Sequence, residues 1–192
     1  MIHLIYLAAG YGTRFGSNKL LHPINGKPMY LHVLEHLASA VHNDSSGHDL
    51  LVVTQYPEIC RKTQELSIRS VINPDPSRGI SSSLQTGIMD LAERGQAKAG
   101  DYFVFFQADQ PFLSKMLIEQ FLSEVRERKP LCAAVSVKGT PISPCAFRGE
   151  LIPDLMSLSG ESGGKRVIKD HIGSCFLFET EDAEQLADID QL

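Results

Sequence analysis

The sequence is poor in the features that mark several classes of protein. Its 4 cysteines, Cys60, Cys132, Cys145 and Cys175, are widely spaced and form no Cys-x-x-Cys pair. That excludes a disulfide-stapled scaffold and the common zinc and dithiol motifs, and all four are expected as buried core thiols. No apolar run approaches the roughly 20 residues that span a bilayer. The opening Met1-Ile-His-Leu-Ile-Tyr has no basic stretch of the kind that begins an export signal, so a cytoplasmic location is expected. Neither sign of charge dominates: 18 Lys and Arg stand against 23 Asp and Glu, a formal net charge of −5. Nucleic acid or an anionic membrane is therefore not attracted globally, and an anionic ligand has to be held by a local site. Internal repeats and low-complexity tracts are also missing.

What the sequence has is enough apolar residue, 43% of 192, to bury one full core. The run at 2–8 is almost continuously apolar and ends at Ala9-Gly10, as a buried parallel strand entering a loop does. A helix is expected from Pro28 to about Ala40, with Met29, Leu31, Val33, Leu34 and Leu37 apolar. Residues 50–54 read as a second buried strand, 58–66 as a surface helix, 70–72 as a short strand, and 73–79 as a Pro- and Gly-rich loop. A helix follows from Ser81. Residues 101–107 form the clearest central strand, ending at Ala108-Asp109-Gln110-Pro111, and Ser114 suits the N-cap of a helix running to about Arg128. A strand at 131–137, helices at 149–158 and 163–170, and a last strand at 175–178 complete the pattern. This alternation predicts a single α/β domain, an open, mostly parallel Rossmann-like sheet with helices on both faces. Ligands of such sheets bind beyond the carboxyl ends of the strands, where strand order reverses.

Two loops at those ends carry chemistry. Residues 7–19 read Leu-Ala-Ala-Gly-Tyr-Gly-Thr-Arg-Phe-Gly-Ser-Asn-Lys. Gly10, Gly12 and Gly16 let successive amides turn toward an anion, while Arg14 and Lys19 supply a bidentate fork and a point charge. The pattern is neither the dinucleotide fingerprint, because three residues separate Gly12 from Gly16, nor a P-loop, because Lys19 follows Asn18 and precedes Leu20. It suits a tri- or pyrophosphate. In the second loop, Asp109 at the end of a buried strand suits Mg²⁺, a hard ion that takes oxygen ligands, although an aspartate before Pro111 also suits a turn. His32 and His36, spaced i, i+4, lack a third ligand and read as satisfied histidines.

Leu-Ala-Ala-Gly-x-x-x-Arg-x-Gly-x-x-Lys at 7–19, Gly26-Lys27-Pro28, Asn73-Pro-Asp75, Gly79-Ile-Ser-Ser-Ser83-Leu84, Ala108-Asp109-Gln110-Pro111, Gly163-Gly164-Lys165-Arg166 and Asp188-Ile189-Asp190 follow one another along nearly the whole chain. Together they resemble the MobA-like nucleotidyltransferases that make molybdenum cofactor dinucleotides. Phe15, Ala108 and Glu161 depart from that family's usual residues. The resemblance implies the nucleotide-diphospho-sugar transferase fold, with a nucleotide-binding half at 1–112 and an acceptor-binding half at 113–192. It implies Mg²⁺-dependent transfer of a nucleotide from CTP, or alternatively GTP, to the phosphate of molybdopterin, with release of pyrophosphate. Ala9 resembles the cytidylyl branch, which favours CTP.

By the same resemblance Arg14, Lys19 and Asp109 are catalytic. Leu7, Ala8, Ala9, Gly10, Gly12, Thr13, Arg14, Lys19, Asn73, Asp75, Ser82 and Ser83 hold the nucleotide, and Asp109 with Asp190 holds the metal. Ser143-Pro144-Cys145 is expected as an acceptor loop, with Lys165 and Arg166 on the acceptor phosphate, though a solvated helix face explains those two charges equally well. Transient contact with an enzyme that receives the cofactor follows from this function. Transfer to a sugar, polyol or choline phosphate, and a non-catalytic nucleotide- or cofactor-binding chaperone, are the alternative readings.

Overall fold

A computed structural model of the chain describes residues 1–10, 18–42 and 48–189. Strand β1 (Ile2–Ala8) is buried along its whole length. A small antiparallel hairpin of β2 (Pro23–Ile24) and β3 (Lys27–Pro28) leads into helix α1 (Met29–His42). Then come β4 (His48–Thr54), α2 (Pro57–Glu65), β5 (Arg69–Ile72), α3 (Ile80–Glu93), β6 (Tyr102–Gln107) and α4 (Lys115–Arg128). The chain continues through β7 (Cys132–Val137), β8 (Thr140–Arg148), α5 (Ile152–Met156), α6 (Gly164–Asp170) and β9 (Cys175–Glu179).

The main sheet has seven strands in the order β5-β4-β1-β6-β8-β7-β9. All run parallel except β8, which is antiparallel to both neighbours. Because both faces are covered, the central strands read as nearly unbroken apolar runs. On one face Leu4, Tyr6, Val52, Val104 and Phe106 pack beneath α1 and α4, through Val33, Leu34, Leu37, Ile118 and Phe121. On the other, Ile5, Leu7, Val53, Phe103 and Phe105 meet Leu84, Ile88 and Leu91 of α3 and Val167 and Ile168 of α6. Helix α3 lies close on the sheet at Gly87, where a Cβ would come 2.9 Å from Ile5 Cγ2. Ser114 caps α4 as expected, its side chain accepting from the Leu117 amide. Among the described residues no helix is long and apolar enough to cross a membrane.

Three expectations change. The segment holding Ser143-Pro144-Cys145 is not a loop but part of β8, a strand the sequence pattern did not announce. Its two prolines hide it: Pro141 sits near the turn, and Ser143 and Pro144 fall in a register shift where Ala134 pairs Cys145 and Val135 pairs Ile142. A proline, which has no N–H for the ladder, fits such a bulge. The helix expected at 149–158 is instead a 3-10 turn, Gly149–Leu151, and the five-residue α5. Of the cysteines only Cys132 and Cys145 are buried; Cys60 and Cys175 are partly exposed.

Candidate active site

Strand order reverses between β1 and β6, because β1 is followed in sequence by β4 on one side and, after β5, by β6 on the other. At the carboxyl ends of these two strands lies a cavity of about 360 Å³. Ala9 and Gly10 after β1 and Ala108 and Asp109 after β6 line it, with Lys19, Leu20, Ser77, Gly79, Ser83 and Glu161 closing its sides. A second cavity of about 240 Å³ shares Leu7, Ile80, Gln107 and Glu161 with the first and extends to Ser143, Cys145, Lys165 and Asp188.

An ion pair lines the first cavity. Asn18 starts a 3-10 turn, its Oδ1 accepting from the Leu20 amide at 3.0 Å, and the buried Leu20 anchors that turn to the core. Lys19 is thereby turned inward, its Nζ 2.9 Å from Asp109 Oδ2 and 3.4 Å from the Ile189 carbonyl. The backbone of 8–10 is tied down from the next strand: Thr54 Oγ1 donates to the Ala8 carbonyl at 2.8 Å, Gln55 Nε2 to Ala9 at 2.7 Å and the Tyr56 hydroxyl to Gly10 at 2.7 Å. No local pattern singled out Thr54, Gln55 or Tyr56 in the sequence. Gly12, Thr13 and Arg14, and at the other end Asp190, lie outside the described residues.

The segment leading into α3 is built around Asn73. This side chain is buried, its Nδ2 donating to Ser82 Oγ at 2.9 Å and Ser83 Oγ at 3.0 Å while its Oδ1 accepts from the Asp75 amide at 3.0 Å. Asn73 thus shapes the wall and does not line the first cavity. Asp75 and Ser82 face a separate cleft beside Arg78 and Met89. Ser83 does line the first cavity. Gly79 holds a φ of +82°, and a Cβ there would lie 2.5 Å from the Gly160 carbonyl oxygen and 2.8 Å from a Glu161 carboxylate oxygen. Only glycine lets the 160–161 turn close against α3, where the Ser81 amide donates to the Gly160 carbonyl at 3.2 Å.

On the second cavity, Ser143 is buried with its hydroxyl 3.5 Å from the Phe105 carbonyl, and Lys165 stands at the rim. Pro144 is not among the lining residues. Arg166 turns to the opposite side of α6, its Nε 3.0 Å from Asp170 Oδ2, so only Lys165 of the basic pair faces the cavity. Burial pushes the Cys145 thiol up to about 12, against a smaller lowering effect of Lys165, so this cavity residue stays a neutral thiol at ordinary pH. Glu161 and Asp188 add carboxylates that the sequence reading did not assign to the site. His32 is held by the carbonyls of Ile24 and Lys27 and His36 by that of Leu113, the satisfied state expected of them.

A divalent cation fits this donor set. Asp109 and Glu161 present carboxylates to a cavity with room for phosphate oxygens. One or two protein carboxylates plus substrate phosphates and water is the arrangement Mg²⁺ tolerates well.

A sheet of this order, with a cavity of about 360 Å³ at its switch point and a Lys–Asp pair on the cavity wall, defines a Rossmann-like α/β fold with a ligand cavity where such sheets bind ligands. The family follows from residues 4–175, which match the MobA-like NTP transferase domain; the chain belongs to that family and is a nucleotidyltransferase. It is 24% identical over 195 residues to the purine catabolism protein PucB of Bacillus subtilis, covering 97% of this chain and 90% of that one. It is 29% identical over 124 residues to a probable molybdenum cofactor guanylyltransferase of Thermococcus gammatolerans, covering 63% of this chain and 55% of that one. The crystal structure of Rv0371c from Mycobacterium tuberculosis superposes with a TM-score of 0.77 at 16% identity over 99% of this chain and 92% of that one, and the same protein is also known in complex with manganese. The expected nucleotide-diphospho-sugar transferase fold is thus observed, with one antiparallel strand.

Proposed function

We propose that this nucleotidyltransferase moves a cytidylyl group from CTP to the phosphate of molybdopterin, with Mg²⁺ as cofactor and pyrophosphate as leaving group. The observation that carries the reading is the Lys19–Asp109 pair, in contact at 2.9 Å on the wall of the switch-point cavity, with a second cavity beside it for an acceptor. An acceptor phosphate oxygen attacks the α-phosphorus in line; a new P–O bond forms as the bond to pyrophosphate breaks. Such a transfer asks the protein for positioning and charge neutralisation and needs no protein nucleophile. Lys19, with Arg14 from the glycine loop, neutralises the β- and γ-phosphates and the charge that gathers on the leaving group. Asp109, with Asp190, holds Mg²⁺, which when bound supplies Lewis-acid stabilisation of the phosphate charge.

In this reading the backbone of Leu7, Ala8, Ala9 and Gly10, with Gly12, Thr13 and Ser83, frames the nucleotide, supported from behind by Asn73, Asp75 and Ser82. Ser143 and Lys165 face the acceptor. The nucleotide-binding half is 1–112 and the acceptor-binding half 113–192. The name of the Thermococcus relative supports a second reading, guanylyl transfer, with the same residues in the same roles.

The test is thermal stabilisation by CTP, GTP, ATP and UTP with Mg²⁺, followed by pyrophosphate release with molybdopterin. A nucleotide that binds only the native state at about 100 Kd adds about 2.7 kcal/mol. A CTP-selective shift with pterin-dependent pyrophosphate release is expected. A GTP-selective shift moves the reading to guanylyl transfer. Turnover of a sugar or choline phosphate without pterin overturns the acceptor, and tight binding without turnover overturns catalysis in favour of a binding chaperone.

A further inference from the structure

Residue Gln110 follows Asp109 directly but does not line either cavity. It is 1% exposed. Its Nε2 donates to the carbonyl of Leu186 at 2.9 Å, 76 residues along the chain. Its Oε1 is equally buried and has no hydrogen-bond partner among the described residues. Half of a buried amide left unsatisfied costs stability, which an apolar side chain of similar shape would not. The packing of the core therefore does not call for an amide at 110; the contact with Leu186 does.

That contact begins a series. The Ser114 amide donates to Gln185 Oε1 at 3.1 Å, Leu186 is buried in the core, the Ile189 amide donates to the Asp109 carbonyl at 2.9 Å, and the Ile189 carbonyl accepts from Lys19 Nζ at 3.4 Å. Residues 184–189 thus cross the carboxyl edge of the sheet as a strap and bring Asp188 to the wall of the second cavity.

We infer that Gln110 is a positioning residue for the transfer reaction: by fastening the strap at Leu186 it fixes Asp188 at the acceptor cavity, while Lys19 and Asp109 stay held by their direct pair. This inference rests on the proposed function for its kinetic part and on the strap's geometry for the rest. Gln110 touches no substrate. Its effect falls on the acceptor, because Asp188 faces the second cavity, while the wall formed by residues 8–10 and 77–83 keeps the nucleotide.

The experiment compares wild type with Gln110→Met, which keeps the volume and removes the donor and the unsatisfied oxygen together. Melting temperature, hydrogen exchange of a peptide spanning 184–189, nucleotide-induced thermal shift and acceptor KM are read on the same samples. The expected result is a melting temperature within about 3 °C of wild type, strap exchange at least about tenfold faster, an unchanged nucleotide shift, and an acceptor KM raised at least about tenfold. Unchanged strap exchange overturns the inference, as does fast exchange with KM within about twofold of wild type. If Gln110→Met does not fold, Gln185→Ala, which releases the bond from the Ser114 amide and the one from Gln185 Nε2 to Asp182, carries the same comparison. If wild type turns over no acceptor, the proposed function fails, and strap exchange alone decides whether Gln110 fastens the strap.

Discussion

Lys19 and Asp109 stand 90 positions apart in the chain, and their side chains meet at 2.9 Å, joining the loop after β1 to the loop after β6. The pair holds a cation for an anionic ligand and an anion for a cationic one in the same cavity. In the proposed reaction the two components of a metal–nucleotide complex would replace this internal pair with external ones.

Replacing Lys19 by Ala removes the positive member. The expected result is a loss of triphosphate binding of at least about tenfold, seen as a diminished thermal shift with CTP or GTP. Folding survives, because the Asp109 side chain is 25% exposed and solvent can reach the charge left behind.

Asp109→Asn acts differently. The amide keeps the shape of the carboxylate but not its charge, so nucleotide binding changes by only a few-fold while the rate of pyrophosphate release falls by about 10²-fold or more. Single-turnover rates at saturating nucleotide check the split. A rate within a few-fold of wild type removes Asp109 from the metal site.

Gly79→Ala tests the wall between the two cavities. The +82° φ and the 2.5 Å approach to the Gly160 oxygen combine backbone strain with a steric clash. Strain alone costs about 1–3 kcal/mol, and the clash pushes the 160–161 turn outward. Urea unfolding should show the lost stability, and the displaced Glu161 should weaken nucleotide and acceptor binding together.

Acid stability reports on the opposite end of the sheet. His3 is buried between Asp49, 3.7 Å from its Nδ1, and Asp101, 3.6 Å from its Nε2. The His3 imidazole beside Asp49, helped by Arg69 and opposed by burial, holds this carboxyl below its ordinary 3.8. A carboxyl depressed in the folded state adds stability that is present above its unfolded value and is lost as pH falls through the folded one. Wild type is therefore expected to lose melting temperature below pH 3.8, and Asp49→Asn to show a flatter profile over that range.

The parts of this arrangement legible in the sequence are those signalled by local chemistry. The apolar runs at 2–8 and 101–107 fix two central strands, and the residues that break them, Gly10 and Pro111, mark the loops that form the cavity. Strand β8 was not legible because its two prolines speak against a strand locally, and only pairing with β6 and the bulge opposite β7 accommodates them. The choice between Lys165 and Arg166 was not legible either. Adjacent helical residues point about 100° apart, so one faces the cavity and the other finds Asp170 a turn later. Asn73 sits in the segment the sequence pointed to, but which of its neighbours its amide would reach depends on the fold of the whole loop.

The antiparallel strand has a consequence for how the chain can be divided. The hydrogen-bonding edge of β6 at Tyr102–Phe105 is covered by β8, which comes from the second half of the sequence. A fragment ending at 112 would keep Lys19 and Asp109 yet expose, in place of a sheet interior, an edge flanked by Phe103 and Phe105 that invites pairing with other molecules. The halves proposed for nucleotide and acceptor share one folding unit, so splitting them is expected to yield aggregates and not a working nucleotide-binding module.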